Sequence, residues 1–80
     1  TYDLEYGTAT LEIQAHAVRG DHRVVVVDDV LATGGTARAT VDLLRSTGAE
    51  VAAVVCLLEL EALAGRDALA DVPVVALRAI

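Results

Sequence analysis

Two adjacent carboxylates, Asp28 and Asp29, stand at the end of the valine run 24–27, and Thr33, Gly34, Gly35 and Thr36 follow them closely. Each part of this stretch has a physical use. The two glycines let the backbone turn tightly and come close to a ligand. Thr33 and Thr36 supply hydroxyl donors, and a helix that starts here offers free N–H groups and the positive end of its dipole. Together they make an anion cradle, most naturally one for a phosphate monoester. It is not a P-loop, because Gly-Lys-Ser/Thr is absent and the chain has no lysine; no G-x-G-x-x-G is present either. Asp28 and Asp29 would repel a bare polyphosphate here. They suit a ligand with phosphate at one end and hydroxyls, or a bound Mg²⁺, nearby, which is the description of a sugar phosphate. A Gly-Gly pair after a strand also occurs as a plain turn, and an Asp pair at a strand end as a solvated cap. The single order of strand, acidic pair, hydroxyls, glycines and helix start favours phosphate over both.

The elements that must position these residues follow from periodicity. Four consecutive valines read as a strand buried on both faces, as in a parallel sheet. Such a strand delivers Asp28 and Asp29 to the carboxyl edge, where open α/β sheets bind ligands. Ala37, Val41 and Leu44 recur at helical spacing, and Gly48 sits where a C-terminal glycine cap should be, so a helix is expected over 36–47. Arg38, Asp42 and Arg45 share its outer face. The apolar run 51–58 reads as a second buried strand, with Cys56 as a small buried hydrophobe and Glu59 and Glu61 at a solvated strand end or flanking the site. A short helix interrupted around Gly65 and a last strand over 74–80 complete the chain. Upstream, Tyr2, Leu4 and Tyr6 alternate with Asp3 and Glu5, then Ala9, Leu11 and Ile13 with Thr10 and Glu12, around Gly7-Thr8. Two period-2 runs about a glycine predict a β-hairpin or flap, with Glu5 on the face away from Leu4 and Tyr6. Strands alternating with helices imply a parallel α/β sheet with right-handed crossovers.

Composition narrows the function classes. Six arginines against twelve carboxylates leave a net charge of −6, which argues against a nucleic-acid or anionic-membrane surface. Apolar residues make up 55% of the chain but are nearly all Ala, Val and Leu, so 80 residues form one small domain whose core has small side chains. No uncharged run approaches the ~18 residues of a membrane span. His16 and His22 lack the spacing of a metal site. One cysteine permits no internal disulfide, which suits a reducing, cytoplasmic setting. The chain begins at Thr1 within what already reads as structured sequence, and is expected to be the second part of something larger.

The stretch Val-Val-Asp-Asp-Val-Leu-Ala-Thr-Gly-Gly-Thr, 26–36, resembles the phosphoribosyl-pyrophosphate loop of type I phosphoribosyltransferases. The opening Leu-Glu-Tyr-Gly-Thr-Ala-Thr-Leu-Glu-Ile-Gln, 4–14, looks like the flexible catalytic loop of the adenine-specific branch of that family. Glu59-Leu60-Glu61-Ala62-Leu63 and Gly65-Arg66 also resemble its later segment. The resemblance implies a Rossmann-like parallel-sheet core over 23–80, incomplete, preceded by a flap over 1–16. It implies conversion of adenine and phosphoribosyl pyrophosphate, with Mg²⁺, to AMP and pyrophosphate. Ala32, Thr33, Gly34, Gly35 and Thr36 would hold the 5′-phosphate, while Asp28 and Asp29 would face the ribose hydroxyls. Glu5 would manage a proton on the purine, Tyr6 would help cover the site, and Leu60 is a candidate to pack on the base.

The resemblance also implies what the chain lacks. Family members are longer, and their amino-terminal half supplies the adenine-recognising hood, further strands and the pyrophosphate loop. This chain is therefore expected to be the ribose-phosphate-binding half, inactive alone, from a parent that is a homodimer. Its arginines, 19, 23, 38, 45, 66 and 78, read as surface charges rather than pyrophosphate ligands. The competing readings are a nucleotide-sensing regulatory module that keeps the phosphate loop without the chemistry, and a purely structural α/β fragment.

Overall fold

The computed structural model describes residues 2–4, 7–9, 20 and 22–80. Strands β1 (Tyr2–Leu4) and β2 (Gly7–Ala9) form an antiparallel pair in which Leu4 lies opposite Gly7. The hairpin expected from the alternation is present, but Gly7 and Thr8 belong to a strand rather than to the turn. Glu5 and Tyr6 lie outside the described residues.

The rest is a three-stranded parallel sheet in the order β3 (Arg23–Leu31), β4 (Glu50–Glu59), β5 (Val74–Ala79). The helix α1 (Gly35–Ser46) connects β3 to β4. Two 3₁₀ turns, Glu61–Leu63 and Gly65–Leu69, connect β4 to β5 where one interrupted helix was expected. Ala64 between them has φ 53°, a left-handed conformation that no helix can run through. At the other end of α1, Gly48 adopts φ 89° and donates its N–H to the Arg45 carbonyl at 2.9 Å, the glycine stop expected there.

Val26, Val54 and Cys56 from the sheet pack with Ala37 and Val41 of α1 and with Leu69 and Val72 of the second crossover. Valines 25 and 27 do not join them; they are 53% and 72% exposed. Among the described residues only one face of the sheet is covered, where the valine run suggested two. Topology explains the difference. When strands are laid down in one direction, right-handed crossovers all fall on the same side of the sheet. The order β3-β4-β5 therefore stacks α1 and the 3₁₀ turns on one face, and Val25, Val27, Leu57, Val75 and Leu77 line the other, exposed. A register shift between Val24 and Val25, paired with Val51 and Ala53, inserts Ala52 as a bulge, so Val51 and Val54 both reach the core.

The second crossover is fastened by charge. Asp71 bridges Arg38 and Arg45 of α1, each at 2.5 Å, and Arg38 also reaches the Ala68 carbonyl at 3.2 Å. Hydrogen bonds from the two guanidinium groups hold the Asp71 carboxyl well below the usual carboxylate range. A carboxylate depressed in the folded state stabilises above its unfolded pKa of about 3.9, and that contribution is lost as pH falls below it. Asp71→Asn should therefore melt several degrees lower than the parent chain at neutral pH. The gap should shrink progressively as both are acidified below about pH 4, which thermal melts across that range will show.

Candidate functional site

The site is built at the carboxyl end of β3. Beyond Leu31 the chain leaves the sheet, passes Ala32 and Thr33, and enters α1 through Gly34. Gly34 has φ 87°, which a residue with a side chain adopts only at a cost. A Cβ there would lie 2.5 Å from the Gly65 carbonyl oxygen and 2.9 Å from Ala68 Cβ. Gly65 is seated in return against the Ala32 carbonyl oxygen and the Leu31 side chain, so loop and 3₁₀ turn touch backbone to backbone.

No side chain caps α1 at its start, and no acidic residue sits in its first turn. The helix thus presents its first N–H groups and its positive end to the loop with no carboxylate of its own first turn among them. Asp28 and residues 30–37 line a pocket of about 90 Å³. That space holds a group the size of a few waters, such as one phosphate, and not a whole nucleotide.

Asp28 is half-buried and lines the pocket; Asp29 is exposed and does not. The Asp29 N–H donates to Asp28 Oδ1 and the Val30 N–H to Asp29 Oδ1, both at 2.8 Å. Burial pushes the Asp28 carboxyl up, and the neighbouring Asp29 adds to this. Hydrogen bonding from the Asp28 carboxyl, and then from the Val30 N–H, pulls Asp29 down. The two titrate as a pair that keeps negative charge beside the pocket mouth.

Of the residues expected from sequence, Asp28, Ala32, Thr33, Gly34, Gly35 and Thr36 are brought together around this pocket. Asp29 is beside it. Leu60 is half-buried, with its N–H on the Leu31 carbonyl at 2.9 Å, next to the loop but outside the pocket lining. One expectation needs correction. Glu59 is neither a solvated strand end nor a flank of the pocket: it is 6% exposed, and both its oxygens accept from Arg66 Nε, at 2.8 and 2.9 Å. Arg66 is exposed, as expected of a surface charge, and is at the same time tied to Glu59, as Arg38 and Arg45 are to Asp71. A carboxylate ending an apolar run, with Gly-Arg six residues on, was the available signal; only the fold shows that the turn closes the pair. Cys56 is buried as expected, and burial raises its thiol, which leaves it an inert core group.

A family model described as the phosphoribosyl transferase domain matches residues 5–75. The chain belongs to the phosphoribosyl transferase domain family. Similar to this chain is an adenine phosphoribosyltransferase of Frankia alni, 60% identical over 80 residues, all of this chain and 42% of that protein. The crystal structure of adenine phosphoribosyltransferase from Thermoanaerobacter pseudethanolicus superposes with a TM-score of 0.93 at 46% identity, over 99% of this chain and 46% of that one. The Saccharomyces cerevisiae enzyme, complexed with D-2,5-dideoxy-2,5-imino-altritol 1,6-bisphosphate and adenine, gives 0.89 at 38% identity, over 95% of this chain and 43% of that one. The chain thus spans less than half the length of these relatives, and the parallel α/β fold read from the sequence is the fold they share.

Proposed function

We propose that this chain is the ribose-phosphate-binding half of an adenine phosphoribosyltransferase, which converts adenine and phosphoribosyl pyrophosphate to AMP and pyrophosphate in purine salvage. The observation that carries the reading is the uncapped start of α1 at Gly34, facing the same pocket as the Asp28 carboxyl. Support for the base comes from relatives that are adenine phosphoribosyltransferases, one of them complexed with adenine and a sugar-like bisphosphate. In this reading the N–H groups and hydroxyls of 33–36 bind the 5′-phosphate, as a helix start binds anions generally. Asp28 and Asp29 accept hydrogen bonds from the ribose hydroxyls. As the bond from the anomeric carbon to pyrophosphate breaks, both carboxylates stabilise the positive charge that develops on the ring. The purine nitrogen forms the new bond and gives up its proton to Glu5, the flap carboxylate that closes over the base. Tyr6 covers the site and Leu60 packs on the base. Mg²⁺ arrives as part of the substrate, on phosphoribosyl pyrophosphate. The parent acts as a homodimer in the cytoplasm, and the 80-residue chain alone is inactive.

Titration calorimetry with ribose 5-phosphate and with inorganic phosphate tests the part of this reading that the chain can perform. The chain should prefer the sugar phosphate. The double variant Asp28→Asn, Asp29→Asn should lose about tenfold in ribose 5-phosphate affinity, the scale of charged hydrogen bonds to hydroxyls, and keep its affinity for phosphate. Folded protein that binds neither compound would overturn the proposal.

A further inference from the structure

We propose that the Glu59–Arg66 ion pair is a positioning element for the phosphate loop, a role that rests on the site reading above. The inference starts from where the pair is tied. Arg66 Nε donates to both oxygens of buried Glu59 at the end of β4, and its Nη1 donates to the Val74 carbonyl at 3.0 Å at the start of β5. One guanidinium therefore joins the last residue of one strand, the second 3₁₀ turn and the first residue of the next strand. Gly65 precedes Arg66 in the chain, and it is Gly65 whose backbone abuts Ala32 and Gly34. Leu60 follows Glu59, and its N–H holds the Leu31 carbonyl. The two members of the pair thus flank, in sequence, the two backbone contacts that brace the loop from behind.

The charge chemistry makes the pair decisive. Glu59 is buried at 6% exposure, so with its partner removed the carboxylate must leave its place or take up a proton. Either change shifts the residues on both sides of it. Neither residue lines the pocket, so their effect on a ligand passes through Gly65 and Leu60. Lysine in place of Arg66 keeps the charge but not the planar fork that reaches the carboxylate and the Val74 carbonyl together.

Amide hydrogen exchange on the 80-residue chain separates positioning from general destabilisation. The Arg38 N–H, bonded to the Gly34 carbonyl at 2.8 Å, and the Leu60 N–H report on the loop; the Val41 and Val26 amides report on the core. In Arg66→Met the loop amides should exchange about tenfold faster while the core amides change far less, and ribose 5-phosphate affinity should fall about tenfold. Arg66→Lys should recover part of both. Glu59→Gln, which keeps the shape and can still accept from Arg66, should show a smaller change of the same pattern, and serves if Arg66→Met does not fold. Uniform acceleration of all four amides, or an unchanged loop in a folded variant, would overturn the proposal. If the unsubstituted chain binds no ribose 5-phosphate, the site reading fails, and the exchange pattern still decides whether the pair positions the loop.

Discussion

Gly34→Ala should cost about 2–5 kcal/mol of folding stability, a large share of the ~4–12 kcal/mol that a chain of this size holds. Two penalties combine. The backbone at Gly34 has φ 87°, a region where a Cβ costs about 1–2 kcal/mol. The new methyl also lands 2.5 Å from the Gly65 carbonyl oxygen and 2.9 Å from Ala68 Cβ, and forcing such an overlap costs about 1–3 kcal/mol more. Gly48 separates the two effects. Its φ is 89°, nearly the same, but a Cβ there meets only Gly20 Cα at 3.2 Å. Gly48→Ala should therefore show the conformational penalty with little of the steric one. Urea unfolding of the two variants beside the parent measures the difference directly. Gly34→Ala should be the less stable by a kcal/mol or more, and should also lose ribose 5-phosphate binding, because relief of the clash moves the loop that holds the phosphate. Equal losses would mean that the 3₁₀ turn behind the loop yields freely and does not brace it.

That comparison also marks how far the site can be read from the sequence. The loop was legible because its determinants are local: a β-branched run, an acidic pair, two glycines and a helical period follow one another without a gap. The helix falls within a residue of where its period puts it, whereas β3 runs on to Leu31, four residues past the valine run, so Asp28 and Asp29 lie within the strand. Glu59 and Arg66 were not legible, because what buries a carboxylate is the closing of a turn seven residues long, and nothing in Glu59-Leu60-Glu61 separates the buried glutamate from the exposed one. Asp71 is a similar case: its two arginine partners lie 33 and 26 residues away, on a helix whose spacing sets them beside Asp42. Arg38 does pair with Asp42 at 2.7 Å, as the spacing implies, and then reaches Asp71 as well. The exposed valines are a case of another kind. A run of four valines says that a strand has two apolar faces, and among the described residues the crossovers cover only one of them.

The 80-residue chain should self-associate through its exposed apolar sheet face, and Val27→Glu with Leu77→Glu should make it monomeric with little change in stability. The two side chains are 72% and 70% exposed, on β3 and β5, at the two edges of the described three-stranded sheet. Between them lie Val25, Leu57 and Val75, each at least half exposed, so the uncovered face is a continuous apolar surface and not a scatter of single residues. Surfaces of this kind drive association, and charges placed on edge strands are the usual means of preventing it. Because neither side chain contributes to the buried cluster, the substitutions should shift the thermal midpoint by no more than about 2–4 °C. Light scattering against concentration should show the parent chain growing in mass and the double variant not. Association that persists in the variant would have to come from the strand edges or from partial unfolding, and the same melts would tell these apart, since only partial unfolding lowers the midpoint. Association that disappears would trace the behaviour to this face, which the two crossovers, both on the other side of the β3-β4-β5 sheet, leave uncovered among the described residues.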